Sequence, residues 1–389
     1  MLERIRSQRI ENLLQSEIRA MTRACNALGG INLGQGICDV PAPDVVKQAA
    51  VEAIEGDVSI YTRYDGDGAL REAMARKFSR YNGIPLDPET EVVVTTGATG
   101  AWAATLMALC NPGDEVVLFE PYYGYHVNTI RVAGCVPVVV PLAAPDFALD
   151  IDRVRAALTP RTRCLLVNTP LNPSGKVFTR AELEELGVLA AEHDLLVVTD
   201  EVYEYMTYGD HRHVSMASLP GMRERTVTLG SYSKTFSITG WRIGYAVGHR
   251  DLVGPIGLVN DLYYVCSPAP LQRAVARGID VLSEGYYLEL QADYEKKRAQ
   301  FCGVLTEIGL DPIVPQGAYY VLADIRRVGA VTAQEAAMRL LEQAKVASVP
   351  GSAFFLEGRG EHLTRFCYAK KQAELDQACE QLLAWGRSH

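Results

Sequence analysis

The chain has 389 residues, with 48% hydrophobic and 22% charged side chains, enough apolar content for a large core and about two domains at the usual ~150 residues each. A net charge of −9 with no long basic run argues against a general nucleic-acid binder. Nine cysteines stand singly, without a C-x-x-C or paired histidine spacing, so they read as small buried hydrophobes and no metal is expected. The charged start Met1-Leu2-Glu3-Arg4-Ile5-Arg6 lacks an apolar signal region, and no apolar stretch approaches the roughly 18 residues that cross a bilayer. A soluble, cytoplasmic protein is expected.

Residues 7–25 read as a helix with a stripe of Ile10, Leu13, Leu14, Ile18 and Met21, ending near Gly29-Gly30. Ile31-Asn32-Leu33-Gly34-Gln35-Gly36 is a short strand running into glycines, where backbone N–H groups can approach a partner closely. Pro43 and Asp44 start a helix to about residue 55. After a polar loop carrying Tyr61 and Tyr64, residues 69–81 read as an amphipathic helix stopped by Asn82-Gly83.

From residue 91 strands and helices alternate. Residues 91–96 form a buried strand, and Gly97-Ala98-Thr99-Gly100 turns directly into a helix reaching Cys110. Helix N-terminal N–H groups bind phosphate in that geometry, although neither the dinucleotide nor the P-loop glycine spacing is present. Further strands are expected at 115–120, 136–142, 164–168, 195–199 and 226–230, with a helix at 150–158 and a capping box of Thr179 with Glu182 opening another. The strand ends deliver Tyr123, then Asn172, then Asp200 and Tyr203, then Ser231, Ser233 and Lys234. Such alternation over residues 91–248 predicts a mostly parallel sheet wrapped by helices, with ligands at the strands' carboxyl ends. In the last third, helices are expected at 268–283, 285–308 and 372–385, with strands at 318–325, 346–349 and 363–368. A further helix is capped by Thr332 with Glu335. This suggests a large domain over 45–283 and a smaller α+β domain made of 1–44 and 284–389.

Lys234 lies among Phe236, Ile238 and Trp241, where desolvation favours a neutral amine that can attack a carbonyl and hold it as an imine. Read alone, the stretch equally allows a surface lysine and a salt-bridging Arg242. A pyridoxal phosphate site needs such a lysine, an acid for the ring nitrogen, donors to the phenolic oxygen, a phosphate cup and an aromatic plate. The chain offers Lys234, Asp200, Asn172 with Tyr203, the turn Gly97-Ala98-Thr99 with Ser231 and Arg242, and Tyr123.

With Leu33-Gly34-Gln35-Gly36, Tyr61-Thr62, Asn172-Pro173-Ser174-Gly175, Asp200-Glu201-Val202-Tyr203, Ser231-Tyr232-Ser233-Lys234 and Gly240-Trp241-Arg242-Ile243-Gly244 all in order, the chain resembles the class I/II aminotransferases over essentially its whole length. These are fold-type I pyridoxal-phosphate enzymes, and the branch with kynurenine and glutamine–phenylpyruvate aminotransferases is most similar. The resemblance implies an α/β fold with a mostly parallel seven-stranded sheet between helices plus a smaller α+β domain. It also implies a homodimer with active sites at the subunit interface. Lys234 would be the Schiff-base lysine and proton carrier, Asp200 the partner of the ring nitrogen, and Asn172 and Tyr203 donors to the phenolic oxygen. Tyr123 would stack on the ring. Gly97, Ala98, Thr99, Ser231, Ser233 and Arg242 would hold the phosphate, joined by Tyr61 of the neighbouring subunit. Arg365 would clamp the substrate carboxylate, assisted by Asn172 and the Gly36 backbone.

Two departures stand out: Gly36-Ile37-Cys38-Asp39 replaces the branch's usual Gly-Phe-Pro-Asp, and Tyr264-Val265-Cys266-Ser267-Pro268 lacks a histidine found in relatives. Thr99 stands where some aspartate-specific relatives carry a lysine, which points to a neutral or aromatic amino-acid donor, unless a partner's arginine at the Arg63 position enters the site. The same site supports β-lyase, ACC-synthase-like or oxidase chemistry as alternatives. A non-catalytic amino-acid sensor is disfavoured, since only about thirty residues precede the site elements and such regulators carry a DNA-binding domain there.

Overall fold

The computed structural model of the chain describes residues 7–10, 13, 17–143 and 145–388. Seven strands form one sheet in the order Val92–Thr96, Ile243–Gly248, Thr226–Ser231, Leu196–Asp200, Thr162–Asn168, Glu115–Glu120 and Val136–Pro141. Ile243–Gly248 runs antiparallel to both neighbours, and every other pair is parallel. Both faces of the central strands are covered. Val117, Leu165 and Val197 pack with Leu183 and Leu186 of helix Arg180–Glu192, while Val116, Leu166 and Val198 pack with Trp102 of helix Gly97–Leu109. Two-sided burial is why these strands are continuously apolar instead of alternating. The parallel order also gathers their carboxyl ends along one edge.

In the C-terminal third, Tyr320–Asp324 pairs antiparallel with Leu363–Cys367 and Pro312–Ile313, and Val349–Pro350 completes a four-stranded sheet. Ile31–Asn32 pairs in parallel with Val346–Ala347, so the N-terminal segment joins this part of the chain. Among the described residues no helix is long and apolar enough to cross a membrane.

Several boundaries differ from expectation. The first helix spans Glu17–Leu28, with Gln8–Ile10 a separate 3-10 turn, instead of running over 7–25. It continues to Leu28 because Gly29, at φ +62, supplies the left-handed turn that ends it. Leu14 lies outside the described residues. Helix Gly68–Lys77 begins where the Asp67 side chain accepts from Ala69 N, and its last turn, Phe78–Asn82, widens to π geometry. The expected strand at 346–349 divides at Ser348, whose hydroxyl accepts from Thr364 Oγ1 at 2.8 Å, and its halves join different sheets. Three helices, Gly124–Val132, Tyr232–Thr235 and Arg250–Tyr264, were not expected. The Thr179–Glu182 capping box forms in both directions. At Thr332 only half of one forms, because the Glu335 carboxylate accepts from Val331 N instead.

Candidate active site

The strand ends and the loops beyond them surround a cavity of about 530 Å³. Strand Leu196–Asp200 delivers Asp200 to its wall. His126 Nε2 lies 2.9 Å from Asp200 Oδ2, and Asp200 Oδ1 accepts from Val202 N at 3.3 Å. On the neighbouring strand, Asn168 Nδ2 donates to the Asp200 carbonyl at 2.9 Å, and its Oδ1 accepts from Asn172 N at 3.0 Å. One side chain thus fixes both the acid and the turn beside it. Glu201 anchors the strand end away from the cavity: fully buried, it accepts from Thr199 Oγ1 at 2.8 Å and from Ser215 Oγ, with His213 Nε2 2.8 Å away. Next to it, Lys77 Nζ meets Glu204 Oε1 at 2.5 Å. This ammonium pairs the buried Glu204 carboxylate, which would otherwise be costly.

Strand Thr226–Ser231 runs into the short helix Tyr232–Thr235, where Ser231 Oγ caps Ser233 N at 3.0 Å. That turn aims Lys234 into the cavity, and its Nζ donates to Gly36 O at 3.1 Å. Burial pushes the Lys234 ammonium below its ordinary range, and the charges of Arg242 and Arg365 push the same way. Arg242 takes a left-handed backbone, at φ 59, donating from Nη1 to Thr239 O at 2.9 Å and from Nη2 to Thr99 Oγ1 at 3.2 Å. A Cβ at Gly97 would come within 2.1 Å of Arg242 Nη2, so glycine is required there for the guanidinium to cross the helix start. Gly97 therefore supports Arg242 from outside the cavity lining, while Ala98, Thr99, Ser231 and Ser233 line it.

Arg365 is 1% exposed and lies between the rings of Tyr320 and Phe354, at 4.3 and 4.7 Å. It donates from Nη1 to Asn172 Oδ1 at 2.9 Å and from Nη2 to Gly34 O at 2.6 Å, while its buried Nε has no partner. Among the described residues no carboxylate pairs with Lys234, Arg242 or Arg365, and Asp200 is the one acid in the lining. With its Oδ1 taken, Asn172 is left with amide hydrogens to donate. Tyr203 and Tyr123 also face the cavity, and burial raises both hydroxyls well above the ordinary tyrosine value, so they are donors at neutral pH. This set of a single acid, neutral donors, and an amine and two guanidiniums that lack carboxylate partners fits a ligand carrying a carbonyl, a ring nitrogen, a phenolic oxygen and a phosphate.

Tyr61 is outside this group: it is 79% exposed and does not line the cavity of its own chain. Among the cavity residues not anticipated as site residues are His126, Asn168, Tyr320 and Arg19. Arg19 donates to Tyr125 Oη at 3.4 Å, and Tyr125 stacks on Tyr123 with centroids 5.1 Å apart. In the loop that departs from the usual pattern, Ile37 faces the cavity while Cys38 is buried against Tyr294 Oη at 3.6 Å. Cys266 is a free, partly exposed thiol.

A family model described as aminotransferase class I and II matches residues 29–382. The probable N-succinyldiaminopimelate aminotransferase of Mycobacterium tuberculosis is 38% identical over 374 residues, covering 93% of this chain and 94% of that protein. Kynurenine–oxoglutarate transaminase 3 of Mus musculus is 35% identical, covering 97% of this chain and 90% of its own. The solved N-succinyldiaminopimelate aminotransferase of Mycobacterium tuberculosis superposes with a TM-score of 0.94 at 37% identity, over 98% of this chain and 100% of that one.

Proposed function

The chain belongs to the class I and II aminotransferases and is a pyridoxal-phosphate-dependent enzyme that moves an amino group from an amino acid to a 2-oxo acid; on that premise we propose how its own residues divide the task. The observation that carries the reading is the convergence of Lys234, Arg242 and Arg365, each without a carboxylate partner among the described residues, on one cavity whose single acid is Asp200. Bound there, pyridoxal phosphate supplies an electron sink for the charge left when a bond at the substrate Cα breaks. Arg242, Thr99, Ala98, Ser231 and Ser233 would hold its phosphate, with Gly97 shaping the turn, and Tyr123 would stack on its ring. Asp200, held by His126, would pair with the ring nitrogen, while Asn172 and Tyr203 would donate to the phenolic oxygen. Arg365 takes the substrate carboxylate in a two-pronged pair, with the Gly36 backbone assisting. Lys234 then carries the proton to and from Cα, a role that its lowered proton affinity suits.

We take the working form to be a cytoplasmic homodimer, with a large domain over 45–283 and a small one over 1–44 and 284–389. Ile60, Tyr61, Leu258, Leu262 and Tyr263 are all exposed, and the Tyr64 ring rests so near Gly257 that a Cβ there would fall within 2.8 Å. The 60–68 loop and helix Arg250–Tyr264 therefore present one surface, suited to a second copy whose phosphate site receives Tyr61.

The donor is neutral or aromatic. Ile18, Ile37 and Tyr125 border the cavity. Arg63 is held by its own chain's Asp65 and Glu89, at 2.5 Å each, which opposes its entry into a neighbouring site. Arg19, which also lines the cavity, is engaged by Tyr125 Oη at 3.4 Å. Initial rates with phenylalanine, methionine, aspartate and glutamate as sole donors decide the matter. The expected result is a kcat/KM for phenylalanine or methionine at least about 10-fold above that for aspartate, equivalent to ~1.4 kcal/mol. A preference for aspartate would contradict the reading.

A further inference from the structure

Tyr320, the first residue of strand Tyr320–Asp324, touches three of the groups assigned above. Its hydroxyl lies 3.1 Å from the hydroxyl of Tyr203. Its ring carries the Arg365 guanidinium 4.3 Å from the centroid. Its oxygen is packed on Gly36 so tightly that a Cβ there would fall 1.9 Å away. The side chain is 2% exposed and lines the cavity. Its neighbour Tyr319 directs its own hydroxyl to Gly36 O at 3.3 Å.

A phenol has one proton to give, so two bonded phenols take one order or the other. Burial lifts the Tyr203 hydroxyl far above its ordinary value and the Tyr320 hydroxyl to about 12, so both keep their protons at neutral pH. If Tyr203 gave its proton to Tyr320, none would remain for the cavity. We infer that Tyr320 donates to Tyr203 and is a positioning residue, keeping the Tyr203 proton aimed at the phenolic oxygen of the cofactor while its ring seats Arg365. The inference rests on the role of Tyr203 proposed above. Accepting a hydrogen bond strengthens the one a hydroxyl donates, by roughly 10–30%. Tyr320 thereby links the carboxylate clamp to the donor that stabilises the ionised phenolic oxygen.

With pyridoxal phosphate bound, a donor at its phenolic oxygen would stabilise the ionised form of that oxygen, so weakening the donor would raise the pH at which the absorbance of the holoenzyme changes. The test is a pH titration of the absorbance of the holoenzyme, comparing the parent with Tyr320→Phe, Tyr203→Phe and the double variant. Tyr320→Phe keeps the ring under Arg365 and removes only the hydroxyl. Its absorbance midpoint is expected to rise by about half a pH unit, with KM for the amino acid within about twofold of the parent because the ring is kept. Tyr203→Phe is expected to raise the midpoint further, and adding Tyr320→Phe to it should produce no additional shift. An unmoved midpoint in Tyr320→Phe, or the same shift in the presence and absence of Tyr203, would overturn the inference while leaving Tyr203 in place. An unmoved midpoint in Tyr203→Phe would overturn the assigned role of Tyr203 and the inference with it.

Discussion

Lys234→Ala is expected to abolish turnover and the long-wavelength absorbance of the bound cofactor together, with kcat falling on the order of 10⁴-fold or more. Two contributions vanish at once. General acid–base transfer alone supplies roughly 10²–10⁴-fold, and the covalent tether is a separate one. No other amine lines the cavity among the described residues, so nothing in it can substitute. The phosphate contacts of Arg242, Thr99 and Ser231 survive the change, so the variant should still bind pyridoxal phosphate without the covalent link. Lys234 is half-buried and has no carboxylate partner among the described residues, and its lowered proton affinity means that folding works against its protonated form below the ordinary lysine range. The cofactor-free variant should therefore melt no lower than the cofactor-free parent. Absorbance spectra, a coupled turnover assay and a melting curve check all three. Turnover retained without the absorbance would refute the role of Lys234.

Arg365→Ala is expected to lower kcat/KM for the amino acid by on the order of 10²-fold, about 3 kcal/mol, mostly as a rise in KM. The guanidinium is 1% exposed, and its unpaired Nε and two stacked rings leave it prepared for an anion. Truncation removes the two-pronged pair and also releases Asn172 Oδ1 and Gly34 O from their donor. The cofactor absorbance should persist, because Lys234 and Asp200 are untouched. A change in the absorbance with KM unaltered would mean that Arg365 serves the cofactor and leave the substrate carboxylate without its clamp. The split between KM and spectrum distinguishes a substrate anchor from a structural arginine.

The large sheet and most of the site were legible in the sequence for one physical reason. Strands buried on both faces are short apolar runs, and the residues that end them, such as Asp200 after Leu196-Val197-Val198-Thr199, mark the ligand edge. Helix Arg250–Tyr264 was hidden by Gly254, Pro255 and Gly257, which read as breakers. Packing overrides them: the missing Cβ of Gly257 is what admits the Tyr64 ring. Helix Gly124–Val132 was hidden by the β-branched Val127, Thr129, Ile130 and Val132. With that helix unassigned, His126 had no visible direction, and its partner Asp200 is 74 residues away in sequence. The available signal was its place three positions after Tyr123, one helical turn along the same wall. Tyr320 reads as an ordinary strand residue, and only the antiparallel pairing of Leu322 with Arg365 shows that its strand lies beside the clamp. Tyr61 shows the opposite case: its motif was visible, whereas its role depends on a second chain.

If Lys234 only moves the Cα proton, the amino group would stay on the enzyme when the oxo acid leaves, and a single half-reaction shows whether it does. The holoenzyme is mixed with one amino acid in the absence of any 2-oxo acid, while absorbance, oxo-acid release, ammonia and oxygen are followed. The expected result is one equivalent of oxo acid per active site, no ammonia, no oxygen uptake, and a spectral change to the amine form of the cofactor that an added 2-oxo acid reverses. Continuous release of ammonia with pyruvate, or oxygen consumption beyond one equivalent, would contradict it.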